Sequence, residues 1–322
     1  MFCILPQTLT HWYRHYLSDY ERDKSSGAWH PNILYDVDEA TGEIWKEQPL
    51  YVFKPENIGE QMCIDDKGIG HEGFTIMSNA QTGKTALMIE STNGRDVEAA
   101  LKLYEKEDLA KIETISCDMS PTYLKVCREV LPSAQVVVDK FHVMQYVYGA
   151  VEEVRLRIKK TLMTKLSKGK TKTVQDQEIM FDLEQLRHCR HRLSQPTNQW
   201  SETGEERINY LFRKYPELKV AYNLGQDFRN WYDIGNATKH KIFIERNLRD
   251  WYYQVEDTKI KEFQSVVKMI EKHENEIVNF FNRGHTNAKA ERLNGKIQRF
   301  VTNNYGLKDK DFSLYRIAGY FS

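Results

Sequence analysis

Short apolar runs and helical patterns alternate between Gln61 and Asp139, and this alternation limits the folds open to the chain more than any other feature. Three apolar runs come first: Met62–Ile64, Phe74–Met77 and Ala86–Ile89. Runs of this length, separated by turn residues, are typical of β-strands. The turn residues at 78–83 predict a hairpin between the second run and the third.

A helical pattern follows the three predicted strands. It is formed by four apolar residues at helical spacing, Val97, Ala100, Leu101 and Tyr104. The next elements are predicted as a strand, a helix and a strand, at 112–118, 121–130 and 136–139. The order βββαβαβ is that of the RNase H-like fold, whose mixed sheet carries acidic residues at strand ends. We therefore expect an α/β (α+β) fold with an RNase H-like mixed sheet.

The residues after Phe141 predict helices almost throughout, for about 140 residues. One long helix is indicated by a single apolar face: Ile260, Phe263, Val266, Val267, Ile270, Ile277 and Phe281. Residues 285–287 offer a cap for a last helix from Ala288 to about Val301. We expect an N-terminal appendage, the first part of the core, an all-α insertion and a C-terminal helix of the core, at 1–60, 61–145, 146–282 and 283–322.

The composition excludes several classes of protein. With 322 residues, 40% of them hydrophobic, the chain has enough apolar material for a globular core. No stretch reaches the roughly 20 apolar residues of a membrane span, and the first residues lack the features of a signal peptide. The five cysteines form no C-x-x-C pair, which argues against a zinc ribbon or a disulfide framework. We expect a cytoplasmic protein with no membrane partner.

Charge is segregated along the chain, although 46 basic residues balance 46 acidic ones. Residues 1–66 contain 5 Lys/Arg and 12 Asp/Glu, whereas residues 140–172 contain 9 and 2. The second stretch includes a run of cations without an acid: Arg155, Arg157, Lys159, Lys160, Lys165, Lys168, Lys170 and Lys172. Such a run either lies on a solvated helix face or contacts phosphates, and both interpretations stay open.

Two aspartates follow apolar runs at positions that suit metal binding. Asp65 ends the first predicted strand of the core, and Asp118 ends the fourth. If these strands are neighbours, both carboxylates project from one edge of the sheet, where hard oxygen ligands can bind Mg²⁺. Each aspartate alone is also compatible with a turn or a helix cap.

The last predicted helix separates into three faces at 100° per residue. Its apolar face, suited to packing on the sheet, comprises Ala290, Leu293, Ile297 and Phe300. Its basic face, suited to phosphates, comprises Lys289, Arg292, Lys296 and Arg299. Its third face comprises Glu291, Asn294 and Gln298. Glu291 can thus present a carboxylate to the site, or serve only as a first-turn acid favoured by the helix dipole.

A set of short motifs extends from Gln61 to the C-terminal region. In chain order they are Cys117-Asp118-Met119 with Pro121 and Tyr123, Leu131-Pro132, Val138-Asp139-Lys140-Phe141-His142-Val143, Thr286-Asn287 with Glu291 and Asn294, and Gly306. In this combination the chain resembles the bacterial insertion-sequence transposases of the ISL-three family.

This resemblance implies a DDE transposase, with an RNase H-like fold interrupted by a helical insertion before the last acid. Its catalytic, metal-binding acids would be Asp65, Asp118 and Glu291. Its supporting residues would be Asp139, His142 and Asn294. Two divalent cations, Mg²⁺ with Mn²⁺ as a substitute, would activate water and then a 3′-hydroxyl for in-line displacement at phosphorus.

The partner that the resemblance implies is double-stranded DNA, both the transposon ends and the target, bound by a homo-oligomer in the nucleoid. Phosphate contacts are expected from the basic residues Arg155, Arg157, Lys159, Lys160, Lys289, Arg292, Lys296 and Arg299. The chain has Ala288 and Arg292 where the family usually has glycine. It also lacks the zinc module and helix-turn-helix that commonly precede the family's core. Recognition of the ends would then belong to a separate DNA-binding polypeptide, or the chain would be a decayed copy.

Three other functions stay open on the sequence. Gly83-Lys84-Thr85 suggests a P-loop ATPase, but Ser78 replaces the first glycine of that motif, which is predicted to bridge two strands. A nuclease of the same fold would cut DNA without joining it. A catalytically inactive remnant would only bind DNA.

Overall fold

The computed structural model describes residues 5–29, 32–37, 41, 44–166, 173–282, 288–304 and 309–322. The chain divides into two compact units. The first unit comprises residues 1–137 and 285–322, and the second comprises residues 138–284. The first unit contains the β-sheet, whereas the second is almost wholly helical.

Seven strands are found in the described part of the chain, and they form one sheet. They are β1 (Asn32–Val37), β2 (Ile44–Phe53), β3 (Gln61–Ile69), β4 (Glu72–Asn79), β5 (Thr85–Ile89), β6 (Thr114–Cys117) and β7 (Gln135–Val138). Their order across the sheet is β1-β2-β5-β4-β3-β6-β7. The first five strands pair antiparallel, whereas β3 and β6 pair in parallel. This mixed sheet and its helices confirm the predicted fold class.

The helices of the first unit lie before, between and after the strands. They are α1 (Pro6–Trp12), α2 (Tyr20–Ser26), α3 (Gly94–Leu101), α4 (Lys106–Leu109), α5 (Pro121–Val130), α13 (Ala288–Asn303) and α14 (Lys310–Phe321). Two of these helices begin where the sequence predicts, at residues that favour a helix start. The Asn93 side chain accepts a hydrogen bond from the Arg95 backbone at the start of α3, and Pro121 occupies the first turn of α5.

Helices α13 and α14 cover one face of the sheet. Leu293 and Ile297 of α13 and Leu314 and Ile317 of α14 are buried there. They pack against five apolar strand residues, Val52, Ile69, Phe74, Ile76 and Met88. Apolar residues three or four positions apart share one helix face, so each helix buries a stripe and leaves its other faces free for polar residues.

The first sixty residues belong to the first unit, together with the strands of the predicted core. Strand β2 joins the sheet beside β5, and its residues Leu50 and Val52 are buried. The segment containing α2 is bonded to Asp311 of α14. Three side chains donate to that carboxylate: Tyr20 at 2.5 Å, Lys24 at 2.9 Å and Trp29 at 3.0 Å. The sequence gives no sign of this contact because its partners lie almost 300 positions apart.

The second unit contains seven α-helices within its described residues. They are α6 (Lys140–Lys165), α7 (Val174–His188), α8 (Glu202–Lys214), α9 (Pro216–Thr238), α10 (Lys241–Thr258), α11 (Lys261–Lys272) and α12 (Glu274–Val278). Two ion pairs show that α6 and α9 run antiparallel. Lys140 meets Asp233 at 3.0 Å near one end, and Arg157 meets Glu217 at 2.9 Å near the other.

Aromatic side chains fill the interior of the second unit. Phe228 packs against Trp231, Tyr232 and Trp251, with ring centroids 4.7 to 5.6 Å apart. Phe281 adds to this cluster beside Gly235, where a Cβ would clash with its ring. Of the helices that the structure describes, none is long and apolar enough to cross a membrane.

Two helical predictions are wrong in their extent. The apolar face at 260–281 belongs to α11, α12 and a following 3₁₀ turn, because the helix ends at His273, whose backbone leaves the helical conformation. The sequence also predicts no helix after α13, yet α14 is present. Its apolar residues lack a clear helical period, and contact with α13 and the sheet supplies the stability that the local pattern does not indicate.

The contact between α2 and Asp311 yields a test of stability. Asp311→Ala leaves the hydroxyl of the fully buried Tyr20 without its acceptor, so the free energy of unfolding should fall by about 1–3 kcal/mol at pH 7. The exposed Asp19→Ala is the matched control and should change it by less than about 0.5 kcal/mol. Urea denaturation measures both, and equal losses in the two variants would contradict the prediction.

The same contact should depend on pH. Burial alone would raise the pKa of Asp311, but hydrogen bonds from Tyr20, Lys24 and Trp29 outweigh burial and hold the pKa below its ordinary value. A lowered folded-state pKa stabilises the fold above the unfolded pKa of about 3.9, and this stabilisation is lost as pH falls. The difference between the native chain and Asp311→Ala should therefore shrink below about pH 4.

Candidate active site

The parallel pairing of β3 with β6 aligns two aspartates. Gln61 is paired with Thr114, and Cys63 is paired with Ser116. Continued by two residues, this register brings Asp65 level with Asp118, which directly follows β6. Residues with the same register on neighbouring parallel strands point to the same face of a sheet. The register therefore predicts that the two carboxylates lie side by side on one face.

The sequence predicts that Asp65 ends its strand. In the structure Asp65 lies within β3 instead. Strand β3 continues to Ile69 because it forms a long antiparallel hairpin with β4. Only the parallel partner stops, since β6 ends at Cys117. The acidic edge is thus created by the end of β6 and not by the end of β3.

A cross-strand row shows which face Asp65 occupies. Asp65 is paired with Ile76 of β4, which is paired with Met88 of β5, which in turn is paired with Val52 of β2. The three apolar members of this row lie in the core beneath α13 and α14. Asp65 therefore lies on the face covered by α13, as the one carboxylate in an otherwise apolar row.

Helix α13 contacts Asp65 directly. The amide nitrogen Nδ2 of Asn294 donates to Oδ2 of Asp65 at 2.8 Å. Glu291 lies in the same helix three positions earlier, which is about one turn. The side chain of Glu291 lies outside the described residues. Among the side chains that the structure describes, no group of three or more His, Cys, Asp or Glu residues could hold a metal ion.

Backbone amides hold the other carboxylate oxygens in place. Oδ1 of Asp65 accepts from the backbone nitrogen of Asp66 at 2.9 Å. Oδ1 of Asp118 accepts from the backbone nitrogen of Ser120 at 2.8 Å. Both carboxylates are therefore oriented by backbone amides of residues that follow them in the chain.

The opposite face of β3 carries Asp66, whose carboxylate is bound by two hydroxyl groups. Tyr123 of α5 donates to Oδ1 of Asp66, and the Thr75 hydroxyl lies 3.3 Å from the same atom. Thr75 also bonds to the Tyr123 hydroxyl at 2.7 Å and to the backbone oxygen of Ser91 at 2.6 Å. These hydrogen bonds hold β3 from the face opposite to Asp65, at the adjacent residue.

The electrostatics of this region reflect its crowding with acids. Burial raises the pKa of Asp66 above its ordinary value, and the negative charge of Asp118 adds to this effect. Hydrogen bonds from Tyr123 and Thr75 act in the opposite direction. Burial and the hydrogen bond to Asp66 also raise the pKa of Tyr123, so the hydroxyl keeps its proton and remains a donor.

Two predicted supporting residues belong to the second unit. Asp139 occupies the position before α6, and His142 lies in the first turn of that helix, with its ring 5.7 Å from that of Phe141. The negative charge of Asp139 contributes to a raised pKa for Tyr232, after the larger effect of burial.

The predicted DNA-binding residues of α6 differ in their availability. Arg155 is only 4% exposed and is bonded to Glu152 and to the backbone oxygen of Leu186, so it cannot meet a phosphate at the surface. This differs from the expectation, because Arg155 lies on the buried face of α6, whereas Arg157 and Lys160 lie on its exposed face. Arg157 is paired with two glutamates, whereas Lys160 is exposed and Lys159 is partly exposed. Residues Lys168, Lys170 and Lys172 lie outside the described residues.

The basic face of α13 is largely at the surface. Arg292, Lys296 and Arg299 are exposed. None of the three forms an ion pair with another residue in the part of the chain that the structure describes. The side chain of Lys289 lies outside the described residues.

The structure excludes a P-loop at residues 78–85. These residues form the hairpin between β4 and β5, with Gly83 in the left-handed conformation and its backbone nitrogen bonded to Asn79. A P-loop leads from a strand into a helix, whereas Thr85 begins a strand. The prediction that this motif bridges two strands is confirmed.

The first unit combines a mixed sheet with helices, which is an α/β arrangement. The model of the ISL3-type DDE family, described as transposase, matches residues 62–317, which is more than half of the chain. The chain therefore belongs to this transposase family, as its motifs suggest. No curated protein and no solved structure gives a significant match to the chain.

The sequence indicates Tyr123 only as part of a motif and does not reveal its bond to Asp66. A tyrosine buried in the core usually needs a partner for its hydroxyl group, and that requirement is the signal that could have found the contact. Thr75 gives no such signal, because threonine is common on strands, where its β-branched side chain packs well on the pleated surface.

The bonds of Tyr123 can be tested by Tyr123→Phe, which removes the hydroxyl and keeps the ring. The free energy of unfolding should fall by about 1–2 kcal/mol, since Asp66 and Thr75 both lose a partner. The pKa of Asp66 should rise further, because the lost hydrogen bond lowers it. Urea denaturation and carboxyl ¹³C NMR titration measure the two effects. Tyr16→Phe, at an exposed tyrosine, is the control, and an unchanged Asp66 pKa would rule out the contact.

Proposed function

We propose that the chain is a DDE transposase that cleaves DNA strands and joins them to new DNA. In this proposal Asp65, Asp118 and Glu291 hold two divalent cations, Mg²⁺ with Mn²⁺ as a substitute. The observation that carries the proposal is the register of β3 and β6, which brings Asp65 level with Asp118 on the face that contacts α13.

The chemistry of the donor set fits such ions. Carboxylate oxygens are the hard ligands that Mg²⁺ prefers. Asp65 and Asp118 each have one oxygen oriented by a backbone amide, and an ionised carboxylate has about four lone-pair sites. Two carboxylates on neighbouring strands repel each other, and a cation between them offsets that repulsion. Bound divalent ions activate the attacking oxygen and stabilise the leaving oxygen in phosphoryl transfer.

The roles of the chain's own residues follow from their places in the fold. Asn294 orients Asp65 through its amide, as a positioning residue one turn beyond Glu291. Tyr123 and Thr75 fix the strand from the other face through Asp66. Glu291 would complete the set of acids from α13. Asp139 and His142 remain proposed supporting residues on the strength of the family pattern alone.

We assign DNA binding to exposed cations in each unit. In the first unit these are Arg292, Lys296 and Arg299 of α13, with Lys289 in the same helix. In the second unit they are Lys159 and Lys160 of α6, with Arg157 between its two glutamates. Exposed cations release counterions from duplex DNA when they meet its phosphates. The same proposal includes an oligomer on the DNA, a separate polypeptide that recognises the ends, and a place in the cytoplasmic nucleoid. It also treats residues 138–284 as an insertion in the catalytic core.

The proposal is tested by Glu291→Gln. The change removes one charge and keeps the size of the side chain, so we expect the fold and DNA binding to persist while cleavage falls by at least a hundredfold. Cleavage is measured on a supercoiled plasmid carrying the element's ends, with Mg²⁺ or Mn²⁺. Glu129→Gln, at an exposed glutamate of α5, is the control and should cleave normally. Near-normal cleavage by folded Glu291→Gln would reduce Glu291 to a helix-dipole residue.

The same plasmid, with a labelled target duplex added, distinguishes the three candidate activities. Joined products support the transposase, and cleavage without joining supports a nuclease. Binding without either reaction supports an inactive remnant. Asp65→Asn and Asp118→Asn should abolish any metal-dependent product, and a product that survives both changes would come from another site or a contaminant.

The role of Asn294 is tested by metal binding. Asn294→Ala removes the amide that orients Asp65, and loss of such a partner typically weakens metal binding about 10- to 100-fold. Calorimetric titration with Mn²⁺ measures the dissociation constant without any reaction. Gln298→Ala, one turn further along α13 at an exposed position, is the matched control. Equal affinities in the two variants would remove Asn294 from the site.

A further inference from the structure

The turn between α9 and α10 forms an exposed tip on the second unit. Residues 236–243 are all exposed, which is the longest such stretch among the described residues of these helices. Lys239 ends α9 in the left-handed conformation, with φ of 50°, and α10 begins two residues later. The tip is therefore a tight helical hairpin whose side chains project into solvent.

The tip carries cations with few acids nearby. Residues 234–249 include four lysines and arginines, Lys239, Lys241, Arg246 and Arg249, and a single acid, Glu245. Within the described residues, only Lys241 of these four has an ion-pair partner, Glu245 at 3.6 Å. Beyond Glu245, the acids of α10 are Asp250, which directly follows Arg249, and Glu256 and Asp257. Before the tip, the last acid of α9 is Asp233, which is paired with Lys140. Positive charge is thus concentrated at the tip.

Apolar side chains are exposed among these cations. Ile242 is 71% exposed and Phe243 is 42% exposed, although large apolar residues normally avoid water. The positions 242, 246, 249 and 253 fall on one face of α10, so Ile242, Arg246, Arg249 and the 68% exposed Tyr253 form one outward stripe. The inward stripe of the same helix is buried. The exposed residues therefore do not stabilise the unit by packing.

We propose that this tip is a DNA contact, in which Lys239, Arg246 and Arg249 bind backbone phosphates and Ile242 and Phe243 touch bases in a groove. Clustered cations with exposed apolar residues match duplex DNA, whose phosphates surround apolar base edges. The inference rests on the proposed function only in taking DNA as the ligand. It adds a site that the acidic residues and α13 do not include.

The tip is separate from the cations of α6. Lys140 meets Asp233 near the tip, whereas Arg157 meets Glu217 at the opposite end of α9. The 22 positions from Glu217 to Lys239 span about 33 Å of helix. Lys159 and Lys160 therefore contact DNA, in the proposed function, at the end of the unit away from the tip.

A second copy of the chain fits the tip less well than DNA does. A two-fold contact brings the same patch of both subunits together. Here it would oppose Lys239, Arg246 and Arg249 of the two copies, and like charges repel each other. A polyanion removes that repulsion, so charge favours DNA as the occupant.

The test is binding of a fluorescein-labelled 30-base-pair duplex, followed by anisotropy at several KCl concentrations without divalent ions. Each phosphate contact contributes about 0.9 to the slope of log K against log salt. Arg246→Gln with Arg249→Gln should lower that slope by about two and weaken binding roughly 60-fold at 0.1 M KCl. Ile242→Ser with Phe243→Ser should weaken binding and leave the slope unchanged, since no counterions are involved.

Two controls match these variants. Lys84→Gln with Lys106→Gln removes two exposed charges from the first unit, neither of which has an ion pair among the described residues, and gives the same net charge as the arginine variant. Val174→Ser changes an apolar residue that is 74% exposed elsewhere in the second unit. Both controls should bind like the native chain. Circular dichroism and thermal melting show that every variant is folded.

Several outcomes would overturn the inference. Tip variants that bind like the controls would show that the tip does not touch DNA, and so would a native chain that does not bind the duplex. A change of mass in light scattering, with unchanged DNA affinity, would assign the tip to contact between copies. Because no divalent ion is present, loss of cleavage by the acidic-site variants leaves these results unaffected. The experiment can therefore disprove DNA binding by the tip without testing the proposed cleavage chemistry, and the cleavage assay can fail without affecting this result.

Discussion

The parallel pairing of β3 with β6 is the interaction on which the candidate site depends. It pairs residues that are 53 positions apart, and the same register continued by two residues aligns Asp65 with Asp118. The antiparallel hairpin of β3 with β4 then ties that register to the core beneath α13. Without the parallel ladder the two aspartates would be unrelated in space, and Asn294 would orient a carboxylate with no neighbour.

Strand β3 is supported on both faces by different chemistry. On one face, an amide from α13 bonds Asp65, and apolar residues of the same helix pack beside it. On the other face, hydroxyl groups of α5 and β4 bond Asp66. Three carboxylates can thus be close together because each has its own donors. Asp66 is bonded to Tyr123 and Thr75 on the face opposite to Asp65.

Much of this arrangement can be predicted from local patterns. Apolar runs and turn residues identify β4, β5 and α5, because those elements are defined by neighbouring residues. The fold class and the transposase family follow from the order of elements and the motifs. The roles of the site residues remain predictions. What sequence cannot supply is long-range pairing: the burial of Arg155, the bond between Tyr20 and Asp311 and the helix α14 all depend on distant partners.

The ladder between β3 and β6 also determines which insertions and deletions preserve the alignment of Asp65 with Asp118. Residues added to the connections around α4 would lengthen the path from Asp65 to Asp118 without moving either one, because the ladder sets their alignment. One residue added between Ser116 and Asp118 would be different. It would turn the aspartate to the side of the sheet where Cys117 meets Cys127 of α5, away from Asp65. Whether an insertion or deletion is tolerated therefore depends more on whether it moves an aspartate to the other face of the sheet than on its distance from the acids.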